Sequence, residues 1–94
     1  MADVTVRLHY LKPDGTIEDA VEDYGLESFG GFLPAAGDLI LDPGVRRGAD
    51  RSDPKNRTMW TVVSRVFNPR DNESYVVLIV EPHTPTAQQA SLVS

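Results

Sequence analysis

The run from Thr58 to Phe67 does most to limit the folds open to this chain. Trp60, Val62 and Val66 alternate with Met59, Thr61, Val63 and Phe67, so an extended backbone here presents apolar groups on both faces. Such a strand has no wet side. It belongs at the centre of a small closed barrel rather than on a flat sheet with one face in solvent.

The rest of the chain reads as short strands separated by turn chemistry. Val4, Val6, Leu8 and Tyr10 alternate with Thr5, Arg7 and His9, the period of a half-buried strand. Lys12-Pro13-Asp14-Gly15 ends it with a hairpin-type turn. Residues 16–24 fit two structures. They return as a second strand, or they place Ile17, Ala20, Val21 and Tyr24 on one face of a short helix capped by Thr16. The hairpin turn and the marginal stability of a lone eight-residue helix favour the strand. Gly25 to Pro34 is a loop whose Phe29, Phe32 and Leu33 plug one end of the barrel. Leu39 to Leu41 is a short strand stopped by Asp42-Pro43-Gly44, and a long polar loop follows to Asn56. Asn68 to Glu73 turns the chain into a last strand, Tyr75 to Val80, antiparallel to the run at 58–67. Tyr10, Phe29, Phe32, Trp60 and Phe67 serve as core aromatics, with Tyr24 and Tyr75 partly exposed. After Glu81 the Pro-rich stretch and the Ala/Gln/Ser tail have no core to join, which implies a mobile tail or one that orders against a partner. The predicted fold is all-β: a five-stranded SH3-like (or OB-like) barrel in residues 1–81, a long loop between strands 3 and 4, and a flexible tail at 82–94.

Pro34-Ala35-Ala36-Gly37-Asp38-Leu39-Ile40, followed by the strands at Trp60–Phe67 and Tyr75–Val80, resembles small bacterial and phage proteins of SH3-like barrel type with a P-x-x-G-D strand motif. The resemblance covers roughly residues 4–81. It implies the barrel fold and a bacterial or phage origin, and it carries over no functional residues.

Chemistry is sparse. The chain has no cysteine, which removes disulfides, thiol catalysis and Cys-based zinc sites. Its N-terminus lacks the basic and apolar stretches of a secretory signal, so a cytoplasmic setting, or a virion, is expected. His9 and His83 are the only histidines, and neither sits in a metal-ligand spacing. Asp50, Asp53 and Asn56 do not follow the alternation of a calcium loop. No phosphate-binding or nucleophile motif is present, so no catalytic, cofactor or metal residues are assigned and the protein is read as a non-enzyme.

Charge offers the one functional lead. Residues 1–42 carry a formal charge of −7 and residues 43–94 carry +2. The acidic run Glu18, Asp19, Glu22, Asp23 and Glu27 reads as the wet side of a strand or helix. The long loop concentrates Arg46, Arg47, Arg51, Lys55 and Arg57 against only Asp50 and Asp53. Arginine forks of this kind bind carboxylates or phosphates of a partner, or else pair with the loop's own aspartates. The expected function is a non-enzymatic interaction module that docks on a larger protein through this loop, its tail, or both. Phage accessory or virion-associated proteins would have this size. The alternative is a single-stranded nucleic-acid binder using the same loop with Trp60 and Tyr75 as stacking surfaces.

Overall fold

The computed structural model describes residues 4–93, all of whose regular structure is strand or single-turn 3-10 helix. Five strands, β1 (Thr5–Leu11), β2 (Ile17–Gly25), β3 (Leu39–Leu41), β4 (Met59–Asn68) and β5 (Asn72–His83), form one mixed sheet in the order β2-β1-β5-β4-β3. The sheet curls into a half-barrel. Of residues 16–24, all but Thr16 belong to strand β2, as the turn chemistry predicts. Gly15 takes φ +88° and donates its amide to the Lys12 carbonyl, while the Asp14 carboxylate accepts from the Thr16 amide and hydroxyl. Each hairpin pair is antiparallel, but β1 and β5 run parallel at the centre of the sheet, with Thr5 opposite Tyr75 and Tyr10 opposite Val80.

The core lies on the concave face. Val6 and Leu8 of β1, Leu78 and Val80 of β5, and Trp60 and Val62 of β4 are fully buried there. Tyr10, Ala20, Tyr24 and Ile40 pack around them from neighbouring strands. The segment after β2 supplies the lid: a 3-10 turn at Leu26–Phe29, capped by Gly30 at φ +69°, brings Leu26, Phe29 and Leu33 onto the core. Trp60 meets Tyr10 at 6.3 Å and Phe29 meets Tyr24 at 5.7 Å, both tilted, the arrangement that ring quadrupoles favour.

Three expectations are corrected. Phe32 is not part of the plug; it is 78 % exposed, because the chain turns outward after Gly30 and Gly31. Phe67 is 55 % exposed and Val66 changes face. A bulge at Val63 moves Val66: Val62 opposes Val80, yet Ser64 opposes Ile79, so side chains beyond the bulge swap sides, and Phe67 stays open although it lies on the face of the core. Arg65 and Phe67 thus share the face of Leu78 and Val76, while Val66 shares the face of Val77. Finally, β5 continues two residues beyond Glu81, and Val93 is buried after a 3-10 turn at Ala90–Leu92. The far end of the chain does find cover.

Candidate basic-loop site

The loop between β3 and β4 is pinned by its own polar side chains. Asp42 accepts from the Gly44 amide at its start. Asp50 accepts from the Ser52 amide at 2.9 Å, and Asp53 from the Lys55 amide at 3.0 Å, where it caps the 3-10 turn Pro54–Asn56. The Asn56 side-chain amide donates to the Asp50 carbonyl. Asp50, Asp53 and Asn56, which have no calcium-loop spacing, are the framework of the loop.

That framework decides what the cations do. Both loop aspartates are turned onto backbone amides, and among the described residues no loop arginine or lysine forms an ion pair. Arg46, Arg47, Arg51 and Lys55 are exposed. Arg46, Lys55 and Asn56 line a small polar concavity of about 280 Å³. The sequence grouped the cations but had no sign that Asn56 would join them.

Arg57 departs from the expected set. It is only 6 % exposed, and its guanidinium donates to the carbonyls of Arg51 and Asp42, both at 3.0 Å. Its Nε is buried without a partner. Arg57 therefore ties the end of the loop to its beginning and middle, and does not face a partner. Periodicity gave no signal for this, because Met59 and Trp60 are both buried and the run has no wet side to set a parity.

Trp60 is likewise withdrawn from the surface at 1 % exposure, so it cannot serve as a stacking platform; Tyr75 is half-buried on β5. Three acids of β2 meet cations on β1 or just after it. The Arg7 guanidinium forks onto Asp19 with two contacts of 2.9 Å and reaches Asp23 at 3.1 Å, and Lys12 pairs with Glu18. Glu22 accepts from the Tyr24 hydroxyl; burial, reinforced by the Glu22 charge, pushes that phenol up to about 12. His83 is fixed between the Thr61 hydroxyl at 2.9 Å and the Thr84 carbonyl at 3.0 Å. The carbonyl requires a proton on Nδ1, which leaves Nε2 of the neutral ring to accept from Thr61. His9 is on β1, opposite Asp19 on one side and Ile79 on the other.

Among the described residues no helix is long and apolar enough to cross a membrane. No family model matches the chain, and neither the curated proteins nor the solved structures include a significant match.

Proposed function

We propose that this protein is a non-enzymatic interaction module that grips a carboxylate-bearing surface of a larger protein with the exposed cations of the β3–β4 loop. The observation that carries this reading is the division of labour within the loop. Asp50 and Asp53 are engaged by backbone amides, and among the described residues Arg46, Arg47, Arg51 and Lys55 have no counter-ion. Charges held on an ordered loop and left unpaired lose less entropy on meeting an anion than charges on a floppy one. Arg46 and Lys55 flank one concavity, which suits a single carboxylate entering between a fork and a point charge. An accessory role in a bacterium or phage, in the cytoplasm or a virion, fits the resemblance to small barrels of those sources.

The test is capture of partners from lysate by the tagged chain, with and without nuclease, followed by affinity measurement with the purified partner. Replacing Arg46 and Arg47 together by Glu is expected to weaken binding by roughly a hundredfold or more, since opposed like charges cost several kcal/mol. The melting temperature should stay unchanged because both side chains are exposed. Binding indifferent to the double reversal removes the loop from the interface. Capture that disappears with nuclease, and falls steeply with salt, replaces the protein partner by single-stranded nucleic acid.

A further inference from the structure

A sheet with open ends must protect its edges, and this one protects two of three exposed stretches. The free edge of β2 is broken where two extra residues bulge opposite Leu8, with Val21 at φ +56°, and it carries Glu18, Asp19, Glu22 and Asp23. Bulges and charges are the ordinary means of keeping strands from pairing. The edge of β3 is three residues long. β4 differs. It pairs with β3 only over Met59–Thr61, and Val62 then exchanges backbone hydrogen bonds with Gly37 and Asp38. From Ser64 to Asn68 it has β5 on one side and, among the described residues, no strand on the other. This stretch exposes Val66 at 48 % and Phe67 at 55 %, beside Val63 at 41 %, with Arg65 as its single charge.

We propose that the Ser64–Asn68 edge of β4 pairs antiparallel with the same edge of a second copy of this chain, giving a twofold dimer with one continuous sheet. The side chains select both the occupant and the register. A twofold axis at Val66 sets valine against valine, and sets Arg65 opposite Phe67 of the second copy in both directions. Residues directly opposite share a face, and Arg65 and Phe67 already share one. They also show their affinity within the strand, where the Arg65 guanidinium carbon stands 5.4 Å from the Phe67 ring centre. The pairing is self-complementary, as a twofold interface requires. An axis at Arg65 would instead oppose two guanidinium groups. Charge favours the same edge on the larger scale. The acids of β2 lie three strand spacings from β4, roughly 14 Å at the usual interval, so copies joined at β4 keep their acidic ends apart.

The experiment is sedimentation velocity on the full chain from the micromolar to the near-millimolar range, joined to cross-linking. The chain should pass from monomer to dimer, and Val66→Lys should weaken association by about tenfold or more because like charges directly opposite oppose pairing. Retained blue-shifted emission from Trp60 establishes that this variant is folded. Because the chain has no cysteine, Val66→Cys introduces a single thiol. Mild oxidation should link two copies, since directly opposed Cβ atoms stand ~4.5–5.5 Å apart and a disulfide spans about 4 Å. Ile17→Cys, equally exposed on β2, sets the collisional background. A monomer at every concentration, a dimer insensitive to Val66→Lys, or linking of Val66→Cys no faster than Ile17→Cys overturns the proposal.

Discussion

Asp19 joins three parts of the molecule at one carboxylate. Oδ1 accepts from the Arg7 guanidinium and from the Val21 amide, and Oδ2 takes the second Arg7 contact. The guanidinium is the larger influence and, with the amide, holds this carboxyl down at about 2. Its folded value lies below the ordinary aspartate value of about 3.9. The stabilisation is therefore present above that ordinary value and is lost as pH falls through about 2. The pair is solvent-exposed, so its contribution is screened by salt. A carbon-detected NMR titration should place the Asp19 midpoint near 2, and Arg7→Gln should move it up toward about 3.9. A midpoint already near the ordinary value in the native chain would deny the pairing. The sequence marked Asp19 and Asp23 as wet acids, which they are. It could not show that Arg7 gathers both, because that depends on the two-residue slip at Val21. A β-branched residue is among the least suited to positive φ, so nothing in Glu18-Asp19-Ala20-Val21 announces a bulge.

At the scale of elements, the β3–β4 loop was legible in outline. Its length, polarity and cation content all stand in the sequence, whereas the inward turn of Arg57 does not stand out from a list of five basic residues. Orientation is a property of the loop closing on itself: the guanidinium meets carbonyls six and fifteen positions away. Removing it should cost stability and, more specifically, loop order. Arg57→Ala is expected to destabilise the fold by about 2 kcal/mol, the worth of hydrogen bonds from a charged donor. Trypsin, which cuts after lysine and arginine, should then cleave at Arg46, Arg47, Arg51 and Lys55 faster than in the native chain. Arg57→Lys should rescue little, since one ammonium cannot reproduce the fork. Unchanged trypsin kinetics in Arg57→Ala would show that the Asx turns alone hold the loop.

The whole molecule has a radius of gyration of 14.1 Å, against about 12 Å for a compact chain of this length. The half-barrel is elongated, with principal extents of 42 × 32 × 25 Å. Strand count, hairpins and the all-β class were readable from alternation and turn residues. The face swap was not, because Trp60, Val62, Ser64 and Val66 keep perfect alternation in sequence while the bulge breaks it in space. The core itself is conventional, and Leu78 sits fully buried on the central strand. Leu78→Ala should cost about 3 kcal/mol, a large part of what a small domain has. Urea unfolding followed by Trp60, the single tryptophan, should report one transition at lower midpoint. Two separated transitions would mean that the hairpins melt independently. The parallel β1–β5 pair bears on how the chain is made. Thr5 meets Tyr75, so the middle of the sheet joins strands seventy positions apart in the chain. The β1–β2 hairpin can close while synthesis continues, but its core face waits, uncovered, until β5 has left the ribosome. Folding this chain is a docking of two hairpins that waits for β5, and the interval before that docking is when its apolar strands are open to other company.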